Sequence, residues 1–201
     1  DSHWLLTASW NKAFRMPTFT DLYYQSPTTE GNVGLRPEQT QSFMLAAKYH
    51  NAAFNATVRG FMHRGKDMID WVMYSADDKY HSANFRLNNV GVEALANVSF
   101  PQIFGPRCLL QTLSVGYTYI HQKRFDDVKV FKSNYALDYL RHKFTANLSH
   151  RIVSHLSASW NLRWQDRMGG YIEYVDHKAT GNLIEYKPYA VLDLKVQWTR
   201  P

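Results

Sequence analysis

Cysteine is nearly absent from this sequence, which contains only Cys108 among its 201 residues. One thiol forms no disulfide within the chain and does not suggest a metal site. Its neighbours Leu109 and Leu110 favour a structural position for Cys108 over a reactive one. Long hydrophobic runs are also absent, and without a run of about 18 apolar residues a membrane-spanning helix is excluded. No signal peptide precedes the first strand-like residues, so we expect a mature chain or an internal fragment.

The spacing patterns of catalytic and metal sites are also lacking. The nine histidines do not follow the HExxH pattern, and no GxSxG motif or phosphate-binding glycine loop occurs. Two acidic pairs, Asp77-Asp78 and Asp126-Asp127, lie in segments of loop composition. Either pair has the oxygen ligands that a divalent cation prefers, but a solvated turn is the favoured interpretation. The sequence therefore predicts no enzyme, no cofactor and no metal site.

Alternation of apolar and polar residues is the dominant pattern. At the start of the chain, one predicted face carries Trp4, Leu6, Ala8, Trp10 and Phe14, and the other carries Thr7, Ser9, Asn11 and Arg15. Such a period of two over roughly ten residues fits a tilted strand that crosses a bilayer. Seven further segments alternate in the same way, which predicts about eight strands in all. They lie near residues 42–50, 54–63, 89–100, 112–119, 140–149, 156–165 and 190–199.

The predicted connections between these strands are alternately long and short. Long ones cover about residues 16–40, 65–84, 123–138 and 166–185, and short ones lie near residues 50–51, 101–107 and 151. Outer-membrane barrels place their long loops at one end, whereas a soluble sandwich has no reason to do so. The outward residues are almost free of charge, with Lys12 and His142 as exceptions, and the mean hydropathy is only -0.44. These features predict an all-β, antiparallel up-and-down meander that forms part of a transmembrane barrel, with a soluble β-sandwich as the alternative.

Basic residues exceed acidic ones and give a net charge of +6. They are scattered over polar strand positions and the ends of loops rather than clustered. A basic barrel lumen or contact with anionic lipopolysaccharide explains this charge as well as nucleic acid does, and within a barrel we expect no nucleic-acid partner.

Two motifs resemble those of the TonB-dependent receptors of the Gram-negative outer membrane. The first comprises Arg15, Pro17, Asp21-Leu22-Tyr23, Gly31-Asn32, Leu35 and Pro37-Glu38, and the second is the strand at residues 89–94. The order and spacing agree over essentially the whole chain, and the loop lengths are most similar to the cobalamin-receptor type. The resemblance implies a barrel of about twenty-two strands, of which about eight are present. It identifies residues 1–201 as a C-terminal part of that barrel, without the plug domain and the final strand.

The resemblance also implies what the parent protein does and what it contacts. Such a receptor imports a scarce nutrient, here a cobalamin-like corrinoid or an iron-siderophore, with energy from the TonB complex, which acts through the absent plug. Alternatives are a haem receptor, a non-energised structural or adhesive barrel, and a soluble glycan-binding β-sandwich. Outer-membrane lipid and lipopolysaccharide would surround the wall. Since an eight-stranded piece has two open edges, we expect the fragment to associate with itself.

Candidate binding residues are the aromatic and amide side chains of the long loops, because a ligand arrives from outside. They are Tyr23, Tyr24, Gln25, Trp71, Tyr74, Tyr171 and Tyr174. Aromatic rings with polar neighbours suit a large, partly apolar ligand, although rings at strand ends also serve as membrane girdles. The basic residues predicted to face the lumen, where they meet the plug or water, are Arg59, Arg141, Lys143, Arg163 and Lys195. The segment from Leu35 to Glu38 is predicted to shape the return of the chain into the sheet.

Overall fold

A computed structural model describes residues 3–125, 129–134 and 136–199 of the chain. Strands account for most of it, and two five-residue helices lie in connections. In chain order the elements are β1 Trp4–Arg15, α1 Phe19–Tyr23, β2 Gln25–Ser26, β3 Thr29–Glu30, β4 Glu38–His50, β5 Phe54–Met73, β6 Tyr80–Ser99, α2 Phe100–Phe104, β7 Leu110–Arg124, β8 Lys132–Ser133, β9 Leu140–Val153, β10 Leu156–Arg167, β11 Gly170–Val175, β12 Lys178–Glu185 and β13 Tyr189–Trp198.

Eight long strands form one continuous sheet in the order β1-β4-β5-β6-β7-β9-β10-β13. Each neighbouring pair along this path is antiparallel, and each strand lies beside the next long strand in the chain. The predicted up-and-down meander is therefore confirmed. The alternative of a soluble β-sandwich is wrong, because a sandwich needs two facing sheets and this meander is a single open wall.

The register places the apolar residues of all strands on the same face. One row across four strands pairs Trp10 with Phe43, Phe43 with Met62, and Met62 with Val90. Among the described residues no core covers this face, since Leu6, for example, is 74% exposed. Lipid is the solvent that stabilises such a surface, so the sheet is part of a transmembrane barrel with its apolar face outward. Neither helix within the described residues is long and apolar enough to span a membrane.

Buried apolar side chains are few and lie mostly toward one end of β5 and β6. They are Leu35, Val72, Met73, Phe85, Leu87 and Ala158. The prediction of an open connection over residues 65–84 is wrong, since β5 continues to Met73 and β6 begins at Tyr80. A bulge between Gly65 and Met68, with Asp67 at a φ of 55°, interrupts the alternation and hides the continuation from a sequence pattern.

Three further segments differ from the prediction. Residues 166–185 contain a hairpin, β11–β12, whose turn residues Asp176 and His177 both have positive φ, as a tight hairpin turn requires. Phe100 is not the end of a strand but begins α2, because Pro101 suits the first turn of a helix. In the first connection, Thr18 caps the short helix α1.

Candidate functional site

Four connections lie at one end of the sheet, which we call the loop end. They cover residues 16–37, 74–79, 125–139 and 168–188, and the opposite turn end holds residues 51–53, 100–109 and 154–155. Strands β5 and β6 have 20 residues each, about twice the number that crosses a bilayer. Residues 68–85 therefore extend beyond the membrane, and we call them the projecting hairpin.

The first connection is fixed to the sheet by one arginine and two carboxylates. Arg15 Nε and Nη2 each donate a hydrogen bond of 2.8 Å to Glu38, and Nη1 donates one of 3.3 Å to Asp21. Asp21 also accepts a bond of 2.9 Å from the Thr18 backbone and donates its own N–H to Thr18 Oγ1 at 3.1 Å. Burial alone would raise the pKa of Asp21, but the bonds from Thr18 and the charge of Arg15 outweigh it and lower that pKa.

The same connection is hydrogen-bonded to the projecting hairpin. Glu38 Oε1 accepts the Ile69 N–H at 2.6 Å, and the buried Ser82 hydroxyl donates to the Asp21 carbonyl at 2.7 Å. Strand β3 adds a short parallel pairing to the beginning of β6. The first motif of the sequence thus has a structural role, because it joins the first connection to the sheet and to the projecting hairpin. Glu38 takes part in both sets of bonds.

The third connection is tied to the hairpin through Asp70. This carboxylate is 2% exposed, accepts the Ser133 hydroxyl and accepts the Ala136 N–H at 2.8 Å. Strand β8 also pairs with the end of β5. An acid so buried is stabilised by such donors, and these two bonds fix Ser133 and Ala136 of the connection to β5.

The fourth connection is tied in turn to the third. Lys132 Nζ donates to the Gly170 carbonyl at 2.7 Å, and the Tyr186 hydroxyl donates to Asp138 Oδ2 at 3.3 Å. Burial raises the pKa of Asp138, and the opposing effects of Lys132 and Tyr186 do not cancel it. All four connections therefore form one assembly around the projecting hairpin.

A cavity of about 300 Å³ lies between the third and fourth connections. It combines two cations, one carboxylate, amide and phenol groups, and apolar side chains, which is the composition of a small-molecule site. Its lining residues are Gln122, Arg124, Phe131, Lys132, Leu137, Asp138, Tyr139, Met168, Gly169, Gly170 and Leu183. The cavity can hold a ligand group that has both polar and apolar surface.

The candidates of the first connection are solvent-accessible. Tyr23 lies at the end of α1 with its ring 4.8 Å from that of Phe19, and Tyr24 is the C-cap of the helix. Both rings are about half exposed, and Gln25 belongs to β2. Tyr23 and Tyr24 are thus available to a ligand at the loop end, and their role in binding stays a prediction.

The candidates of the second connection have different positions. Trp71 is not in a loop but within β5, where it pairs with Ser82 and is half-buried. Tyr74 follows β5 directly, and its ring is stacked 5.9 Å from that of His81. His81 Nδ1 lies 3.9 Å from a carboxylate oxygen of Glu30 in the first connection. Tyr74 therefore stands where the first and second connections meet.

The candidates of the fourth connection lie on the hairpin β11–β12. The ring of Tyr171 is 6.0 Å from that of Tyr186, and Tyr174 is exposed near the turn. A Cβ atom added to Gly181 would lie 3.6 Å from that of Ala76, so this hairpin reaches the tip of the projecting hairpin. Within the described residues, no ring contact joins these tyrosines to Tyr23.

The five predicted lumen residues alternate with the outward row and lie on the polar face of the sheet. Arg59 pairs across β5 and β6 with Glu93 and forms an ion pair of 2.8 Å. Lys143 is opposite Thr118, and Lys195 is opposite Ser159. Arg141 and Arg163 occupy the same face of β9 and β10.

The acidic pairs show no metal site in the described part of the chain. Asp78 accepts a hydrogen bond of 2.9 Å from His81, which lowers the pKa of Asp78, and also caps backbone N–H groups near the hairpin tip. The pair Asp126-Asp127 lies outside the described residues. No group of three His, Cys, Asp or Glu side chains suitable for a metal occurs among residues 3–125, 129–134 and 136–199.

Sequence reasoning missed the polar groups that organise the loop end. Asp70 is far from Ser133 in the sequence, as Asp138 is from Tyr186, and nothing in the local spacing indicates that either pair meets. Helix α1 did have a local signal, since Thr18 and Asp21 have the spacing of a capping box.

Comparisons with known proteins agree with this architecture. The family described as "TonB dependent receptor-like, beta-barrel" matches residues 1–201. The vitamin B12 transporter BtuB of Vibrio vulnificus (strain YJ016) is 28% identical over 91 residues, which are 44% of this chain and 14% of that protein. The copper transporter OprC superimposes with a TM-score of 0.71 at 14% identity, over 99% of this chain and 29% of that chain. The FrpB iron transporter from Neisseria meningitidis (F3-3 variant) superimposes with a TM-score of 0.66 at 19% identity, over 99% of this chain and 30% of that chain.

The chain thus spans less than a third of the length of these relatives. These relatives are named as transporters. Receptors of this family lie in the outer membrane of Gram-negative bacteria, and so does this wall. The chain belongs to the TonB-dependent receptor β-barrel family.

Proposed function

We propose that this chain is a C-terminal sector of a receptor that binds a scarce nutrient at its loop end and imports it with energy from TonB. The observation that carries the proposal is the loop assembly. The first and third connections are hydrogen-bonded to the projecting hairpin, the fourth is hydrogen-bonded to the third, and a mixed polar and apolar cavity opens between the third and the fourth. Connections held in place by such contacts lose less conformational entropy when a ligand binds.

A cobalamin-like corrinoid is the first candidate for the nutrient, and an iron-siderophore is the second. The relative from Vibrio vulnificus, named a vitamin B12 transporter, supports the first, and the fold shared with iron transporters leaves the second open. Tyr74, Tyr171 and Tyr174 would contact apolar parts of either ligand, while Tyr23, Tyr24, Gln25 and Trp71 would line its approach. Lys132 and Asp138 would bind its polar groups.

The polar face would form the route inward. Arg141, Lys143, Arg163 and Lys195 would line the lumen and meet acidic groups of a plug domain, which TonB would displace. Arg59 already has Glu93 as its partner, so its role would be to hold the wall rather than the plug. Plug and TonB are partners of the complete receptor.

The test is uptake of radiolabelled cobalamin by cells that contain the complete receptor as their sole corrinoid receptor. We expect uptake that requires a membrane potential and is reduced by a Tyr74→Ala, Tyr171→Ala, Tyr174→Ala variant. A Tyr49→Ala variant is the control, because Tyr49 lies on the outward face at the turn end. If the cells took up a ferric siderophore or haem but no cobalamin, the nutrient would be that compound and not a corrinoid. If they took up none of the three, a non-energised barrel would be favoured.

A further inference from the structure

One histidine lies between the first connection and the tip of the projecting hairpin. His81 is the second residue of β6, and its side chain is partly buried. Its Nε2 atom is 2.9 Å from Asp78 Oδ1, and its Nδ1 atom is 3.9 Å from Glu30 Oε2. Glu30 ends β3 in the first connection, whereas Asp78 lies in the turn between β5 and β6. The two ring nitrogens therefore face carboxylates of two different connections.

While the ring is neutral, only one of these two contacts is favourable. The hydrogen bond from His81 lowers the pKa of Asp78, so this carboxylate is ionised at neutral pH and can only accept. The contact of 2.9 Å therefore requires the ring hydrogen on Nε2. Nδ1 then presents a lone pair to the carboxylate of Glu30, and the two repel each other. Protonation of the ring places a hydrogen on Nδ1 as well, which makes both contacts attractive.

The ring of Tyr74 adds a third contact that favours the charged form of His81. The two rings are stacked, with their centroids 5.9 Å apart and an interplanar angle of 28°. The face of an aromatic ring attracts a cation, so the phenol stabilises an imidazolium more than a neutral imidazole. Tyr80, the preceding residue of β6, lies on the opposite face of the strand.

The other charged groups of this region are directed elsewhere. Asp77 and Lys79 belong to the same turn and are exposed to solvent. Val72 is the partner of His81 in β5 and carries no charge. Asp70, two residues earlier in β5, accepts hydrogen bonds from the third connection. A positive charge on the ring is therefore balanced by the two carboxylates that its nitrogens face.

The segment that contains Glu30 has few other attachments to the hairpin. Strands β2 and β3 pair with each other over residues 25–30, which we call the short hairpin. The short hairpin pairs with β6 over two residues, Thr29 with Tyr80 and Glu30 with His81. A parallel pairing of this length contributes little by itself. The side chain of Glu30 is 50% exposed, so water can solvate its carboxylate whenever the ring does not bind it.

We propose that His81 is a pH-sensitive latch between the short hairpin and the projecting hairpin. The charged ring binds Glu30 and Asp78 together and holds the short hairpin against β6. The neutral ring keeps Asp78 and releases Glu30. Histidine changes its charge between about pH 5 and pH 8, so the latch closes in mildly acidic surroundings and opens as pH rises. Because Tyr74 stacks on the same ring, the nutrient site is more ordered when the latch is closed, and this consequence alone rests on the proposed function.

The experiment measures backbone hydrogen exchange of the complete receptor in detergent, without nutrient, at about pH 5.5 and about pH 8. Peptides that cover residues 24–31 report on the short hairpin, and peptides from residues 92–98 of the wall are the internal reference. Exchange is expressed as a protection factor, since the exchange of an unstructured amide itself depends on pH. Both conditions lie above the ordinary range of carboxylate titration.

Four variants separate the latch from other effects of pH. Glu30→Gln removes the carboxylate that the neutral ring releases, and Asp77→Asn is the matched control because it removes an exposed carboxylate of the hairpin tip. His81→Phe keeps a ring beside Tyr74 but has no nitrogen to protonate, whereas His81→Arg keeps a positive charge at both pH values. Heat-modified migration on gels checks that each variant is folded.

We expect protection of the short hairpin in the wild type to be roughly three-fold higher at the lower pH, as suits a partly exposed ion pair. Asp77→Asn should show the same ratio. His81→Phe and Glu30→Gln should show a ratio near one, and His81→Arg should stay protected at both pH values. The wall peptides should have equal protection factors throughout.

Three results would overturn the proposal. Equal protection of the wild-type short hairpin at both pH values would show that no latch exists. A ratio that persists in His81→Phe would assign the effect to another group, and one that persists in Glu30→Gln would remove the partner. Since no sample contains nutrient, failure of the import proposal would leave all of these measurements unchanged.

Discussion

Arg15 and Glu38 join the last residue of one strand to the first residue of the next through two hydrogen bonds of 2.8 Å. The two residues are also direct partners in the register of β1 and β4. Between them the chain makes a connection of 22 residues, from 16 to 37, and this ion pair closes it at its base. The side chain of Glu38 is nearly buried, whereas that of Arg15 is 46% exposed. The pair therefore stabilises the first connection, while the sheet below it has its own hydrogen bonds.

Replacing Arg15 by Ala should loosen the first connection and leave the barrel wall intact. The carboxylates of Glu38 and Asp21 would lose their cation, and a buried charged group without its partner is unfavourable by about 1–3 kcal/mol. Part of this is recovered by water, because Arg15 is half exposed. Hydrogen exchange of residues 18–38 should accelerate by roughly ten-fold or more. An Arg15→Lys control should show an intermediate effect, and unchanged exchange in Arg15→Ala would contradict the structural role.

The first connection should also loosen in acid. The folded state lowers the pKa of Asp21, so this group stabilises the fold above its ordinary pKa and loses that contribution as pH falls through the lower, folded value. The window therefore lies below about pH 4. Limited proteolysis at Phe19 and Tyr23 should increase between roughly pH 4 and pH 2.5. An Asp21→Asn variant should show a smaller increase, because Glu38 still titrates: burial opposes the shift, but the hydrogen bonds from Arg15 lower the pKa of Glu38 as well. A flat profile in the wild type would show that Asp21 does not control this opening.

The sequence predicted the wall better than the loops, and the reason is physical. Each strand has to present alternate residues to lipid, so the pattern of Trp4 to Phe14 fixes which face is outward without knowledge of its neighbours. The register follows because a slip of one residue would turn the whole apolar set toward the lumen. Eight strands and their order were therefore accessible from the pattern alone.

The loop end could not be predicted in the same way. Its order depends on contacts between residues far apart in the chain, such as Asp70 with Ser133 and Ala136. The hairpin β11–β12 lies outside the membrane, so its sequence does not need the lipid-facing alternation that marked the wall. Composition did identify where the aromatic candidates lie, but not that Trp71 belongs to a strand.

Two glycines offer a matched test of backbone approach. A Cβ atom at Gly31 would lie 2.9 Å from the backbone carbon of Leu22, which cannot move without opening α1, whereas one at Gly60 has open space. Gly31→Ala should therefore increase proteolysis of the first connection by several-fold, and Gly60→Ala should not. The fraction of intact receptor after a short protease treatment measures both. Equal resistance of the two variants would mean that the close approach at Gly31 is not required.

The edges of the sheet lead to a prediction about the 201-residue chain expressed by itself. In the described residues, β1 and β13 each have one long neighbour in the sheet, so each exposes a row of backbone groups. Such edges pair with other strands, and the apolar outward face requires detergent. We expect this chain in detergent to form dimers or larger species in light scattering coupled to size exclusion.

Like charges placed at both edges should oppose that association. A Thr7→Lys, Gln197→Lys variant puts one cation on the polar face of each edge strand, and these cations meet when edges of two copies pair. A Thr57→Lys, Ser114→Lys variant adds the same charge to strands inside the sheet and is the control. The first should shift the chain toward monomers and the second should not. A monodisperse monomer of the unaltered chain in buffer without detergent would contradict both the open edges and the lipid-facing wall, because neither surface could then be exposed in solution.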